Sequence, residues 1–175
     1  MRLKFLLLLL LMSSVFSVLA VASSDDVRQP VHIEADRAEI DEALGVMTYT
    51  GHVVVVQGGM EIRAATVVVY SKEGELRRIT AQGQPVHYSQ KRVDGKNVKG
   101  VSQRMEYSAG SKQVLLLGKA EFWQGGNRFS GNRIQYDPEA ERVIANAGSD
   151  SGAEGDRQRV SVTLQPRSKK TDTQP

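Results

Sequence analysis

The sequence predicts a single all-β domain, a sandwich, barrel or roll of short antiparallel strands. From Val31 onward, apolar and polar residues alternate with a period of two, as they do in half-buried strands. No segment keeps the i, i+3, i+4, i+7 apolar spacing of a helix over a useful length. Turn signals recur about every eight to twelve residues, a cadence typical of sandwiches, barrels and rolls.

Strand-like segments and turns follow one another along the chain. Alternating patterns occupy residues 31–36, 60–64 and 160–164, and β-branched runs occupy 53–56 and 67–70. The turn signals between them are Gly45, Gly58-Gly59, Glu73-Gly74, Gly83, Asp94-Gly95, Gly110, Gly125-Gly126, Asp137-Pro138 and Gly148. The polar segment 150–159 is predicted to be a loop before the last strand.

An internal repeat with an offset of 67 residues connects the two halves of the chain. Residues 51–59 (GHVVVVQGG) align with 118–126 (GKAEFWQGG). The alignment continues with Ile62 over Phe129, Val67 over Ile134 and Val69 over Tyr136. After a slip of two residues, 78–80 align with 143–145, and Gly83 aligns with Gly148. Two copies of one strand-turn-strand unit predict a continuous roll in which each unit covers its neighbour.

The repeat also indicates which side of each strand points inward. Val54 aligns with Glu121, and burying an unpaired carboxylate is costly, so the alternate residues should be inside. The inward set predicted from the repeat is Val53, Val55, Met60, Ile62, Val67, Val69, Ala120, Phe122, Phe129, Ile134 and Tyr136. The alternation of apolar and polar residues, without support from the repeat, adds these residues to the inward set: Val31, Ile33, Ile40, Ile79, Tyr88, Met105 and Tyr107. The small residues expected in the same interior are Ala35, Ala64, Ala120 and Gly131.

The N-terminus has the pattern of a secretory signal peptide. Arg2 and Lys4 make its start positive, residues 5–12 form an apolar run, and Ala20-Val21-Ala22 is an A-x-A cleavage signal. We predict cleavage after Ala22. The alternative is a retained membrane anchor, because the apolar stretch approaches the ~20 residues needed to span a bilayer. Three serines within the stretch disfavour that alternative.

The predicted mature chain has one domain, residues 23–166, followed by a polar tail, 167–175, that is expected to be disordered. Removing the signal peptide lowers Lys plus Arg from 23 to 21 against 20 acidic residues, so the net charge becomes +1. A nucleic-acid-binding protein should show a concentrated basic surface, which this composition lacks. The chain has no cysteine, which excludes disulfides and thiol catalysis and fits the bacterial periplasm.

No arrangement of residues predicts catalysis or metal binding. His32, His52 and His87 lie in strand-like segments without carboxylates at ligand spacing, so we expect them to face solvent. Glu34 and Asp36 lie two residues apart on a polar strand face, and we expect them to be solvated. The sequence therefore predicts neither an enzyme nor a metalloprotein, and no cofactor.

Three further features have ordinary interpretations. Ser102 lacks the G-x-S-x-G turn of a nucleophile and is predicted at a strand edge. The Gln-Gly-Gly triplets at 57–59 and 124–126 lack the Lys-Ser/Thr of a phosphate loop, so they are predicted hairpin turns. The basic pairs 77–78 and 91–92 could meet anionic head groups, but solvated hairpin ends are the simpler interpretation.

A family resemblance carries the functional prediction, because a filled core and an acyl-chain groove are both apolar and have the same pattern. The segments 29–36 (QPVHIEAD), 48–53 (TYTGHV) and 56–58 (VQG) closely resemble the LptA (OstA-like) family of periplasmic lipopolysaccharide-transport proteins. Further matches are Gly83-Gln84-Pro85, Gly95-Lys96, Leu117-Gly118 with Ala120, and residues 160–166 (VSVTLQP). The resemblance covers essentially the whole predicted mature chain.

The resemblance implies a β-jellyroll, slightly open along one side, with an apolar groove for the acyl chains of lipid A. It also implies head-to-tail homo-oligomers joined by edge strands. Such oligomers bridge LptC-like inner-membrane and LptD-like outer-membrane transport proteins. Eight strands per sheet at ~4.8 Å spacing give a height of only about 40 Å, so one copy would be a short bridge. No nucleotide site is predicted, so the energy for transport would come from partners.

The family match also selects residues. It places Val27, Val31, Ile33 and Tyr88 against the lipid, with Met105, Tyr107 and Phe122 as further matches, whereas Ala109 is smaller than the family pattern. Combined with the inward pattern, the predicted lipid-binding set is Val27, Val31, Ile33, Val53, Val55, Ile62, Tyr88, Met105, Tyr107, Phe122 and Phe129. The predicted self-association edge is Val160, Val162 and Leu164. The alternative function is a structural scaffold that is joined through sheet edges and does not bind lipid.

Overall fold

The computed structural model describes residues 29–92, 95–148 and 159–166, in which ten β-strands and no helix occur. The strands are β1 (His32–Glu34), β2 (Arg37–Asp41), β3 (Val46–Gln57), β4 (Met60–Lys72), β5 (Glu75–Gln90), β6 (Val98–Ser108), β7 (Gln113–Gln124), β8 (Asn127–Asp137), β9 (Arg142–Asn146) and β10 (Ser161–Thr163). The predicted all-β fold is confirmed. Within the described ranges, no helix could cross a membrane. The predicted signal peptide, Val27 and the 167–175 tail lie outside those ranges.

All strands belong to one antiparallel sheet in the order β1-β3-β4-β5-β6-β7-β8-β10, with β2 also pairing with β3 and β9 with β8. Several strands are longer than the short strands predicted, β5 reaching 16 residues. Gly83 is one reason: it was expected in a turn, but β5 continues through it with a register shift between Gln82 and Val86.

The sheet forms two layers because its long strands bend. Register shifts interrupt the pairing near the middle of the long strands, as between Thr50 and Val53 in β3 and between Leu117 and Ala120 in β7. Such bulges kink a strand and increase its twist. The first layer consists of β1, β10 and residues 53–57, 60–63, 86–90, 98–101, 120–124 and 127–131. The second layer consists of β2, β9 and residues 46–50, 66–72, 75–82, 104–108, 113–117 and 133–137.

Phe122 and Tyr136 show the extent of the bend. Phe122 pairs with Phe129, which precedes Tyr136 by seven residues in β8. A straight strand would separate the two positions by roughly 23 Å, yet the ring centroids of Phe122 and Tyr136 are 4.8 Å apart. The β7–β8 hairpin therefore doubles back, and its two halves face each other across the interior.

The two long margins of the roll differ. One margin carries the bends, where continuous strands join the layers covalently. The other margin, which we call the mouth, carries the strand-connecting turns, and side-chain contacts hold the layers together there. The mouth turns of the first layer are 58–59, 125–126 and the described residues of the β5–β6 connection, 91–92 and 95–97; those of the second are 42–45, 73–74, 109–112 and 138–141.

The internal repeat is present in the backbone. Val53 pairs with Ala64, and 67 residues later Ala120 pairs with Gly131. The bend is repeated as well: His52 and Lys119 have positive φ angles of 46° and 47°. These two residues follow Gly51 and Gly118, which also have positive φ. One bent hairpin is thus used twice.

The predicted slip after the repeat is wrong by one residue. Val69 pairs with Ile79, and its repeat partner Tyr136 pairs with Val143. Ile79 therefore corresponds to Val143, not to Ile144. The burial agrees, since Ile79 is 1% exposed whereas Ile144 is 38% exposed. The slip is three residues because residues 70–78 connect Val69 to Ile79, with a register shift after Tyr70, whereas only residues 137–142 connect Tyr136 to Val143.

The prediction that the residues alternating with Glu121 and Val54 point inward is confirmed. The buried hydrophobic core includes these predicted inward residues: Val53, Val55, Met60, Ile62, Ala64, Val67, Val69, Ile79, Tyr88, Met105, Tyr107, Ala120, Phe122, Ile134 and Tyr136. Val31, Ile33 and Phe129 are partly buried and pack against it.

Three side chains depart from the prediction. Ile40 is exposed because β2 is an edge strand whose residues are all exposed. Ala35 is exposed between β1 and β2. Ser102 is not at a strand edge: it is 1% exposed in the bend of β6 and donates a 2.7 Å hydrogen bond to the Arg104 carbonyl.

Candidate functional site

The interior between the layers contains the predicted lipid-binding side chains. Most of them lie in the first layer: Val31, Ile33, Val53, Val55, Ile62, Tyr88, Phe122 and Phe129. Met105 and Tyr107 of β6 extend into the second layer. Val27 lies outside the described residues. The structure brings the ten described members together in one apolar interior, with Val31, Ile33 and Phe129 toward its periphery.

Phe122 forms an aromatic contact between the layers. Its ring centroid lies 6.4 Å from Phe129 in its own layer and 4.8 Å from Tyr136 in the other. Offset or tilted aromatic pairs at these distances stabilise a core beyond simple burial. Phe122 and Tyr136 are both fully buried. They contribute the largest fully buried side chains of the core.

Tyr88 places a hydroxyl at the mouth side of this interior. The side chain is 3% exposed, and its hydroxyl donates a 2.8 Å hydrogen bond to Gln90 Oε1. Burial raises the pKa of Tyr88 far above its ordinary value, while the positive charge of Arg92 acts in the opposite direction. Tyr88 therefore remains a neutral donor, suited to the boundary between an apolar interior and a polar rim.

The interior is filled at its centre. Gly100 of the first layer contacts Leu116 of the second, and a Cβ added to Gly100 would lie 2.7 Å from Leu116 Cδ1. Every polar side-chain atom that is buried in the described residues has a hydrogen-bond partner. An acyl chain that enters at this point has to displace Leu116 from Gly100. The mouth is the margin where separation breaks no covalent connection.

The two ends of the stack leave the interior uncovered. Ile40 of β2 pairs with Met47, which packs against the core, so both side chains share the inward phase. Ile40 is nevertheless 59% exposed. At the opposite end, Val162 pairs with the core-packed Phe129 and is 48% exposed. Apolar surface of the interior is thus accessible at both terminal edges.

Two cations connect the layers across the mouth, and the sequence did not predict this. Arg92 Nη1 donates to the Tyr136 hydroxyl at 3.4 Å and to the Pro138 carbonyl at 3.2 Å. Lys96 Nζ lies 2.6 Å from Glu141 Oε1. The interpretation of 91–92 as a solvated hairpin end is therefore wrong for Arg92, which is half-buried. The contacting residues lie 44 to 46 positions apart in the sequence, so the local sequence does not indicate these contacts.

The other predicted polar positions have the ordinary roles expected. His32 and His87 are exposed, and His52 Nδ1 lies 2.8 Å from Asp36 Oδ2 on the exterior. Arg77 pairs with Glu75, and Arg78 lies 4.3 Å from the centroid of the Tyr70 ring. Among the described residues, no group of three or more histidine and acidic side chains could hold a metal ion.

A second concavity lies on the outer face of the first layer. It has a volume of about 740 Å³, and its walls include Glu61, Arg63, Lys99 and Trp123, the one tryptophan of the sequence. These side chains point away from the interior. Lys99 pairs with Trp123 across β6 and β7, and the next pair, Gly100 with Phe122, points inward. The sheet separates this concavity from the interior.

Part of the interior was not predicted from the sequence. Val86, Val98, Val114 and Leu116 are each 1% exposed or less but were not predicted inside. Val114 and Leu116 belong to the run Val-Leu-Leu-Leu, in which no polar residue marks the phase. Their pairing with Tyr107 and Met105, both predicted inward, was the signal that could have identified them.

The fold and the interior together define a two-layered β-jellyroll with a continuous apolar interior. The chain matches the family described as "LptA/(LptD N-terminal domain) LPS transport protein" over residues 32–142. The chain belongs to this family, as the resemblance in its sequence predicted. The family consists of transport proteins, so the prediction that the chain is not an enzyme is confirmed as well.

Similar proteins cover nearly the whole chain. The lipopolysaccharide export system protein LptH of Pseudomonas aeruginosa is 36% identical over 157 residues, 87% of this chain and 89% of that protein. The lipopolysaccharide export system protein LptA of Escherichia coli K12 is 34% identical over 152 residues, 86% of this chain and 78% of that protein.

A solved structure confirms the fold. The crystal structure of LptH, the LptA-homologous periplasmic component of the conserved lipopolysaccharide transport device from Pseudomonas aeruginosa, aligns with a TM-score of 0.73. The alignment has 32% sequence identity and covers 81% of this chain and 99% of LptH. The jellyroll prediction is therefore confirmed.

Proposed function

We propose that this protein is a periplasmic lipopolysaccharide carrier that holds the acyl chains of lipid A between its two layers. It links inner-membrane and outer-membrane transport proteins, LptC-like and LptD-like, directly or through further copies of itself. The observation that carries the proposal is the continuous apolar interior, accessible at both terminal edges of the roll. Its relatives are lipopolysaccharide export proteins.

The apolar interior supports acyl-chain binding. Burying a methylene group contributes about 0.8 kcal/mol, so acyl chains transferred from water into this space gain substantial free energy. The chains must displace contacts such as that between Phe122 and Tyr136, which cross the interior. Separating the layers at the mouth replaces these contacts with lipid contacts of similar polarity.

The free edges support assembly end to end. β1 and β10 end the first layer, while β2 and β9 end the second. Exposed edges promote strand addition, and a second copy or a partner with a similar edge can use them. Joining β10 of one copy to β1 of the next would cover Val162 and continue the interior. Val160 and Leu164, 38% and 67% exposed, would lie at the same junction.

Export and processing are part of the proposal. The signal peptide would be removed after Ala22, which delivers the mature chain to the periplasm. N-terminal sequencing of periplasmic protein should give Ser23 as the first residue. A chain that starts at Met1 and remains in the membrane would contradict this part of the proposal.

Lipid extraction distinguishes a carrier from a structural scaffold. The mature protein is purified from the periplasm without detergent, and bound lipid is extracted with solvent and identified by mass spectrometry. The carrier releases lipid A-containing glycolipid. Ile33→Asp, at a half-buried position of β1, should lose this lipid while remaining folded, and the exposed neighbour His32→Asp should retain it. Wild-type protein without lipid would favour the scaffold.

A further inference from the structure

The interior becomes progressively more polar toward the mouth. Phe122 is fully buried, and the Tyr136 ring lies against it with a centroid distance of 4.8 Å. The Tyr136 hydroxyl accepts a hydrogen bond from half-buried Arg92, and Arg92 also reaches the Pro138 carbonyl. Lys96 and Glu141 follow at the rim, with side chains 50% and 51% exposed. From the interior to solvent, the order is thus an aromatic ring, a hydroxyl group, a guanidinium group and an ammonium group.

Resting on the proposed function, we propose that Arg92 and Lys96 form the subsite for a phosphate monoester of the bound lipid's head group. The five residues Arg92, Lys96, Tyr136, Pro138 and Glu141 constitute what we call the mouth clasp. Without lipid, the clasp holds the two layers together. When acyl chains occupy the interior, a phosphate at the mouth replaces the second-layer oxygens as the acceptor for both cations.

The chemistry of Arg92 favours this exchange of partners. Two of its contacts cross the mouth, and both are to neutral oxygens, the Tyr136 hydroxyl and the Pro138 carbonyl. Hydrogen bonds to a charged acceptor are about twice as strong as neutral ones, and a guanidinium matches the geometry of phosphate oxygens. A half-buried position strengthens the attraction further, because solvent screens it less than at the surface.

Lys96 can exchange partners at low cost. Its ion pair with Glu141 is half exposed, and exposed pairs contribute little to stability. Lys96 and Arg92 come from the same β5–β6 connection of the first layer, whereas their acceptors belong to the second. A ligand that takes both cations therefore removes these contacts between the two layers at the mouth. Head-group binding and separation of the layers are coupled in this way.

Tyr88 and Gln90 complete the rim on the first-layer side. The Tyr88 hydroxyl donates to Gln90 Oε1, and Tyr88 lies within the electrostatic influence of Arg92. Neutral hydroxyl and amide groups suit the ester, amide and sugar atoms that connect acyl chains to a phosphorylated head group. The order of side chains thus matches an amphiphile with its phosphate outermost.

The test compares two lipids on two proteins. The probes are lipid A with both phosphates and the same lipid after their removal, and the proteins are the mature wild type and the double variant Arg92→Gln/Lys96→Gln. Removing the phosphates should weaken wild-type binding about tenfold or more, the contribution expected from hydrogen bonds to a charged group. In the double variant, the two lipids should bind within about twofold of each other.

A matched control separates a local subsite from bulk charge. Lys99→Gln/Arg104→Gln removes the same charge from exposed positions on the outer faces, and it should preserve the wild-type preference for the phosphorylated lipid. Inorganic phosphate, added alone as a competitor at millimolar concentration, should leave lipid binding unchanged. Competition by inorganic phosphate would show a general anion site and overturn the assignment to a lipid head group.

The remaining outcomes distinguish failure of this proposal from failure of the proposed function. A double variant that is folded, binds lipid and keeps the full preference for phosphate would overturn the subsite. A wild type that binds both lipids equally would overturn it as well. If neither lipid binds the wild type, the carrier function itself fails. Thermal unfolding of the variants confirms that each comparison uses folded protein.

Discussion

Gly100 in the first layer lies directly against Leu116 in the second, so closely that an added Cβ would approach Leu116 Cδ1 to 2.7 Å. The two layers are therefore packed together at this point. A ligand that enters between the layers at this point has to break the contact.

Gly100→Ala should destabilise the protein. The new methyl group forces Leu116 out of its position, and overpacking of this kind costs about 1–3 kcal/mol. Chemical denaturation measures the change in the free energy of unfolding. Gly110→Ala is the control, since an added Cβ there has no neighbour within 4 Å. Equal stability of the two variants would mean that the layers are not in contact at Gly100.

Val143 and Ile144 test the corrected alignment of the repeat. Val143→Asp should destabilise the protein by about 2 kcal/mol or more, because it places a carboxylate in the inward phase beside buried Tyr136. Ile144→Asp should cost less than about 1 kcal/mol, because Ile144 faces outward. Thermal or urea unfolding provides both values. If Ile144→Asp were the more destabilising substitution, the repeat would align with a slip of two residues and not three.

Asp137 predicts a pH dependence of stability. The backbone N–H of Ala140 and the side-chain amide of Gln113, followed by the N–H of Glu139 and the charge of Arg142, hold the pKa of Asp137 below its ordinary value of 3.8. A carboxylate with a lowered pKa stabilises the folded state above the unfolded pKa, and this contribution is lost as pH falls through the folded value.

The variant Asp137→Asn isolates that contribution. The stability difference between wild type and Asp137→Asn should be largest above pH 3.8 and should shrink at lower pH. Urea denaturation between neutral pH and pH 2 measures it. A difference that does not change with pH would show that the ionised carboxylate contributes nothing.

Ile40 should control self-association. Its exposed side chain lies at the open end of the interior, so a second copy would cover it. Ile40→Asp should reduce the concentration-dependent mass measured by light scattering and leave the unfolding temperature almost unchanged. Leu44→Asp, at a turn residue that is 74% exposed, should associate like wild type. Unchanged association of Ile40→Asp would exclude this edge as a joining surface.

The sequence allowed prediction of the strand phase because Glu121 has a definite preference for solvent and the repeat transfers that preference to Val54. The turns at Gly58 and Gly125 followed from their glycines. Ile40 was mispredicted since alternation identifies a side of a strand and does not identify what covers that side. Ser102 was misplaced because the bends arise from register shifts between neighbouring strands, and pairing between strands is not visible in one segment.

Arg92 illustrates the same limit for the candidate site. In the sequence, the pair Lys91-Arg92 has the pattern of a solvated hairpin end. In the fold, the bent strands bring Tyr136 and Pro138 into contact with Arg92. The apolar members of the site were predictable from pattern, because burial selects residue types at fixed spacing. The polar residues at the mouth were not predictable, because the residues that contact each other there lie far apart in the sequence.

The most direct test of the carrier function is photo-crosslinking to lipopolysaccharide in cells. A photoreactive residue is placed in turn at Ile33, Tyr88 and Phe122, which face the interior, and at His32 and Glu121, which have the outward phase. A carrier that holds acyl chains between its layers should give lipopolysaccharide adducts at the three inward positions and none at the two outward positions. Folded, exported protein that forms no adduct at any inward position would contradict it.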